Sequence, residues 1–95
     1  MQPETNFKAK VQKRLRLIPD LYTIKIQQMS LRGHPDIIMC FRGKFVAWEL
    51  KVPPNKVKPG SLQAFNLASI QRAGGVAIEV TPENFEERLK ELLCL

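Results

Sequence analysis

The stretch Pro35 to Val52, PDIIMCFRGKFVAWELKV, constrains this chain more than any other. Two short runs rich in apolar and β-branched residues, Asp36–Phe41 and Phe45–Val52, meet at Arg42-Gly43, the pattern of a β-hairpin. With Arg42-Gly43 as the turn, residues whose numbers sum to 85 stand opposite each other, so Phe41 faces Lys44, Cys40 faces Phe45, Ile38 faces Ala47 and Asp36 faces Glu49. Side chains alternate along a strand, so Glu49 and Lys51 share a face at about 7 Å, while Val46, Trp48, Leu50 and Val52 take the other. This register gathers Asp36, Glu49 and Lys51 on one side of one sheet. A slip of one residue would send Asp36 to the opposite face.

Two carboxylates facing each other across a strand pair repel, at a cost on the order of 0.2–1 kcal/mol when exposed and more when desolvated. Something positive is expected there: the Lys51 ammonium, a divalent cation, or both. Hard carboxylate oxygens suit Mg²⁺ or Mn²⁺, which take a few protein oxygens and keep several waters. A purely structural ion pair of Lys51 with Glu49 or Asp36 is the alternative.

The distribution of charge points to a partner. Residues 1–78 carry 13 Lys and Arg against four acids, a net +9, whereas residues 79–95 carry five Glu against Arg88 and Lys90, a net −3. Two of the four acids in the basic part are Asp36 and Glu49, so a basic surface surrounds a small acidic centre. That pattern fits a polyanion, with nucleic acid the leading candidate, although solubilising charge gives the same totals. Ninety-five residues, 44% of them apolar, make one small domain, 1–95, whose limited core would gain from association with a second copy. The N-terminal MQPETNFKAK has no apolar export core and no run approaches membrane-spanning length, so no membrane partner is expected. Two cysteines, Cys40 and Cys94, then read as reduced thiols in a cytoplasmic setting. With one His and two Cys, a four-ligand zinc site within the chain is not expected, and no glycine-rich phosphate loop or dinucleotide fingerprint implies a nucleotide cofactor.

Along the chain, Pro3 to Leu17 has helical spacing, with Phe7, Val11, Leu15 and Ile18 as its apolar stripe. Glu4 falls on that stripe's side. It is either a first-turn acid favoured by the helix dipole or a third carboxylate reaching the face that holds Asp36 and Glu49. Lys8, Lys10, Lys13, Arg14 and Arg16 spread over the remainder. Leu21 to Met29 reads as a strand, and Ser30 to His34 as the loop feeding Pro35-Asp36. His34 is a candidate general base by residue type, but a lone loop histidine is more often a surface or packing residue.

PPNKVKPG after Val52 is an irregular loop carrying Lys56 and Lys58, either a phosphate grip or an exposed connector. Ser61 can cap a helix to Ala73, stopped by Gly74, with Leu62, Leu67, Ile70 and Ala73 inside and Gln63 on the same face. Gly75 to Val80 is a strand with Val76, Ile78 and Val80 on one side. Thr81-Pro82 opens a last helix with the stripe Phe85, Leu89, Leu92 and Leu93. A right-handed crossover from Lys51 to Val76 makes the last strand parallel to its neighbour. The expected fold is α/β: a mixed four-stranded sheet flanked by helices in the order α-β-β-β-α-β-α.

Gly33-x-Pro35-Asp36, Glu49-Leu50-Lys51 closing the next strand and Gln63 in the following helix resemble the PD-(D/E)xK nuclease superfamily. Within it, the GxPD start, the ELK strand end, Ser61-x-Gln63 and Ala73-Gly74-Gly75 resemble the VRR-NUC (virus-type replication-repair nuclease) group, over roughly residues 4–80. The resemblance implies a restriction-endonuclease-like core and a Mg²⁺-dependent endonuclease, with Mn²⁺ able to substitute. It implies that Asp36 and Glu49 ligate the metal together with the Leu50 carbonyl, that Lys51 acts on the attacking water and the phosphate, and that Gln63 assists. It also implies that Glu4 matches the group's first-helix acid. Lys8, Arg32, Lys56 and Lys58 are candidate DNA contacts; His34 inherits no role.

No base-reading module is evident, so structure-selective cutting of branched DNA is expected. Stand-alone members of the group look like symmetric junction resolvases, which implies a homodimer. A phage or prophage source fits that small format. A monomeric flap or fork nuclease, and a non-catalytic basic nucleic-acid-binding module, are the competing expectations.

Overall fold

The structure, a computed structural model, describes residues 2–27 and 32–95. The elements are α1 (Pro3–Leu15), β1 (Leu21–Lys25), β2 (Ile37–Phe41), β3 (Lys44–Leu50), α2 (Leu62–Arg72), β4 (Val76–Val80) and α3 (Phe85–Leu93). They form an α/β protein with one four-stranded mixed sheet in the order β1-β2-β3-β4. β1, β2 and β3 run antiparallel in turn, and β4 joins β3 in parallel.

The hairpin turns at Arg42-Gly43 and pairs Phe41 with Lys44, Cys40 with Phe45 and Ile38 with Ala47, the register expected from the sequence. Both turn residues have positive φ, 52° and 78°, the two-residue turn whose twist matches its flanking strands. A non-glycine residue at positive φ is uncommon, and Arg42 is held there from both sides. Its guanidinium donates to the carbonyls of Leu93 (3.0 Å) and Leu95 (3.3 Å) and lies 4.7 Å from the Phe41 ring centroid.

The alternation of β3 then builds two unequal cores. On one face Val46, Trp48 and Leu50 pack with Ile37, Met39, Phe41 and Val80 beneath Phe7, Val11 and Leu15 of α1 and Phe85, Leu89 and Leu92 of α3. Phe85 ties these layers together, with its ring edge-on to Trp48 at 6.3 Å and to Phe7 at 5.9 Å. On the other face the apolar cluster is small: Ala47, Ala77 and Leu67 of α2 are buried, with Ile38, Val57 and Ile70 partly so. Gly33, at φ 74°, lets its loop approach α2 closely, since a Cβ there would fall 2.5 Å from Leu62 Cγ.

Several expected boundaries move. α1 ends at Leu15 because Pro19 disfavours helix at Ile18, and the N–H groups of Leu17 and Ile18 tighten onto Arg14 and Leu15 carbonyls. β1 ends at Lys25; the expected strand residues 28–29 and loop residues 30–31 lie outside the described residues. The last helix starts at Phe85, not Pro82. Thr81 N–H donates to Asn84 Oδ1 (2.8 Å) and Asn84 N–H to Thr81 Oγ (3.3 Å), closing a separate turn before the helix. Leu62, Ala73 and Leu93, expected on inner faces, are exposed, because the thin second core and the chain end cover them only in part. Among the described residues no helix is long and apolar enough to cross a membrane.

Candidate active site

The hairpin register carries Asp36 and Glu49 to the open end of the β2–β3 ladder, one step beyond the last paired residues Ile37 and Trp48. Here Asp36 bends back into the ladder: its Oδ2 accepts from Leu50 N–H at 2.8 Å. Its Oδ1 lies 3.6 Å from Lys8 Nζ on α1. The N–H and C=O of one strand residue point to the same side, so the Leu50 carbonyl also faces β2. Extended by two residues, the register sets Leu50 opposite Pro35, which has no N–H to return.

Glu49 is the buried charged residue among the described residues, at 3% exposure on the α2 face of the sheet. Gln63 Nε2, in the first turn of α2, donates to its Oε2 at 2.9 Å, and Lys51 Nζ lies 3.6 Å from the same oxygen. Neither contact uses Oε1. Ser61 sets this geometry by accepting from Ala64 N–H at 3.1 Å, which caps α2 and fixes where Gln63 points.

Burial pushes the Glu49 carboxyl up to about 7, and the Asp36 charge adds to the rise. Lys51 and Lys8 pull the other way without cancelling it. The Asp36 charge thus acts on Glu49, while each acid keeps its own ammonium partner, Lys8 of α1 for Asp36 and Lys51 for Glu49.

Glu4, exposed, lines a depression of about 320 Å³ together with Lys51, Lys56, Lys58, Ser61 and Gln63. It thus stands on the wall around Lys51. Among the described residues, no three His, Cys, Asp or Glu side chains gather closely enough to hold a metal. Arg32 is exposed beside the undescribed residues 28–31. His34 lines an apolar depression with Phe45, Asn66 and Ile70.

One residue escaped the sequence reading. Glu79 pairs with Glu49 in the parallel β3–β4 register, and its Oε2 accepts from Val57 N–H at 3.0 Å. It ties the Pro-rich loop to the sheet and so places Lys56 and Lys58 at the rim. The alternation Val76, Ile78, Val80 already turned Glu79 to the other face, but a parallel register has no turn to read it from. Replacing Glu79 with alanine is expected to cost about 1–2 kcal/mol and to speed exchange of the Val57 amide hydrogen about tenfold, by hydrogen-exchange mass spectrometry. Unchanged exchange in the 53–60 segment would show that the loop holds itself.

Compared with family models, curated proteins and solved structures, this chain finds no match in any of the three.

Proposed function

We propose that this chain is a Mg²⁺-dependent, structure-selective DNA endonuclease with a restriction-endonuclease-like core of the VRR-NUC kind. The carrying observation is that Glu49 meets Lys51 and Gln63 at the end of the hairpin where Asp36 takes the Leu50 amide. The donor set fits a hard divalent cation: Mg²⁺ is typically held by one or two carboxylates and keeps its other positions for water and phosphate. Asp36, Glu49 and the Leu50 carbonyl, whose ladder position lacks its donor, are the groups that would hold it; Mn²⁺ has the same preference for oxygen.

When bound, such a cation supplies acidification of the attacking water and positive charge on the phosphoryl oxygens. The chain's own residues do the rest. Lys51, with its side chain 17% exposed, keeps a movable positive charge beside Glu49, where it can stabilise charge developing on the phosphate. Gln63 fixes the orientation of the Glu49 carboxylate. Lys56 and Lys58 are aimed at the same depression as Lys51 and contribute phosphate contacts that position without reading sequence. Glu4 serves there at a distance, through water or through Lys51.

The substrate is branched DNA, and two copies related by a two-fold axis nick symmetric strands of a four-way junction. Exposed Leu62 and Phe65 on α2, 52% and 61% accessible, provide apolar surface for such pairing. The exposed free thiols of Cys40 and Cys94 go with an intracellular setting.

A second reading has its own observation. Both acids already have a cation at 3.6 Å, which is what a non-catalytic basic DNA-binding module would need. Cleavage assays on junction, flap, duplex and single-stranded DNA with Mg²⁺, Mn²⁺ or chelator separate the two. Metal-dependent product is expected from the wild type, and Asp36→Ala is expected to abolish it while DNA binding persists. A wild type that binds DNA and never cuts it would establish the module. Cutting of flaps alone by a protein that sizes as a monomer would replace the resolvase with a flap nuclease.

A further inference from the structure

A second depression opens on the other side of Asp36. It lies between α1 and β1, holds about 620 Å³, and is lined by Thr5, Lys8, Gln12, Arg16, Lys25 and Gln27. Thr5, Lys8 and Gln12 of α1 and Arg16 at its C-cap follow helical spacing, so one face of the helix and its end supply them, and edge strand β1 with the residues just after it supplies the opposite wall. Buried Ile37 and Leu50 contribute apolar surface.

Three features of this cleft point to its occupant. Its volume is that of a small-molecule pocket, about 300–1,000 Å³, which admits one nucleotide and excludes a duplex. Its charge is positive: Lys8, Arg16 and Lys25 line it against the single acid Asp36. Among the described residues neither Arg16 nor Lys25 has a carboxylate within ion-pair distance, so both have charge to offer a phosphate. Thr5, Gln12 and Gln27 add uncharged donors and acceptors of the kind that meet base edges. The cleft is also continuous with the candidate active site, because Asp36 belongs to both and Lys8 lies 3.6 Å from its Oδ1.

We propose that the α1–β1 cleft is a subsite for one unpaired nucleotide next to the phosphate that is cut, its own phosphate on Arg16 and Lys25 and its base edge on Gln12 and Gln27. The proposal rests on the nuclease reading for what happens at Asp36 and Glu49, and deepens it by naming the substrate feature selected. A base-paired nucleotide cannot enter the cleft without leaving its stack, which costs a few kcal/mol, and that cost is smallest where pairing is already lost. Preference for branched DNA then follows from the size of the cleft, with no base-reading helix required.

The test is a titration of the full-length protein with thymidine 5′-monophosphate, followed by amide chemical shifts, without metal. Inorganic phosphate and thymidine are the comparison ligands. Shifts are expected to cluster in residues 5–16 and 25–27 and at Asp36 and Ile37. The nucleotide is expected to bind at least about tenfold more tightly than either comparison ligand, and Arg16→Ala with Lys25→Ala to weaken it about tenfold. Shifts spread equally over Lys44, Lys56, Lys58 and Arg72, or phosphate binding as tightly as the nucleotide, would overturn the subsite. The double variant should also raise KM for a substrate with one unpaired nucleotide at the cut by about tenfold, with a smaller change in kcat. Localised shifts in a protein that cuts no DNA would uphold the cleft and remove the nuclease reading. Cleavage without localised shifts would do the reverse.

Discussion

Glu49→Gln is expected to lower metal-dependent cleavage on the order of a thousandfold and, in the same protein, to raise stability at alkaline pH. The first effect follows from losing a charged oxygen donor between Lys51 and Gln63. The second follows from the Glu49 carboxyl being pushed up to about 7, first by burial and then by Asp36. A carboxyl that holds its proton more tightly in the folded than in the unfolded chain favours folding at low pH. That contribution is complete below the ordinary carboxylate range and is lost as the pH rises through about 7. The gap corresponds to about 3 kcal/mol between pH 4 and pH 8. Glutamine keeps an oxygen for the Gln63 amide and carries no charge, so the variant should lose that slope.

In chelator at pH 8 its midpoint of thermal unfolding should exceed the wild type by on the order of 10 °C, and at pH 4 the two should nearly coincide. Added Mg²⁺ should stabilise the wild type at pH 8 and leave the variant unmoved, since only the wild type offers both carboxylates. If wild type and variant kept parallel pH profiles in chelator, the ionised acid would be costing the fold nothing. Stability held back at one residue that neighbouring side chains orient is the pattern expected where function opposes folding.

Trp48→Ala is expected to be the most damaging single change to the fold. Trp48 is 1% exposed, and its ring meets Phe85, which in turn meets Phe7, so one side chain supports β3, α3 and α1 together. Truncating a buried aromatic to alanine costs about 3–5 kcal/mol. A domain of this length has about 5–14 kcal/mol in all, so the variant should sit near the limit of folding. Urea unfolding, or its absence because the variant is already unfolded, measures this. Leu67→Ala, in the thin core beneath α2, should cost about 2 kcal/mol, the low end for a leucine. Equal losses from the two would mean that the cores are not as unequal as their buried residues indicate.

The same asymmetry explains what could be read ahead of the structure. Local geometry carried most of the site. A turn at Arg42-Gly43 and the two-residue repeat of a strand are enough to set the hairpin register and to put Glu49 beside Lys51, and a serine cap with helical spacing is enough to turn Gln63 inward. Helix ends were less legible, because they depend on competition between neighbouring hydrogen bonds. Thr81 and Asn84 satisfy each other and delay α3 to Phe85. Inner faces were legible only where a full layer covers them. Leu89 and Leu92 sit under such a layer, whereas Leu62, with the same apolar character, is half exposed beside the Gly33 loop.

What the amino-acid order determined by itself, then, is the set of relations set by backbone period and turn type: the hairpin, its register and the shared face of Glu49 and Lys51. Only the folded chain decided the relations between segments far apart in sequence. Among these are Glu79 alongside Glu49, Lys8 on Asp36, Glu4 kept to the outer wall, and a cleft between α1 and β1. The depth at which Glu49 is buried, and with it the proton affinity of its carboxyl, belongs to the same group. The physical reason is that dihedral periodicity acts over a few residues, whereas burial and charge depend on which elements pack against each other. That packing is settled by the sum of many weak contacts over the whole chain.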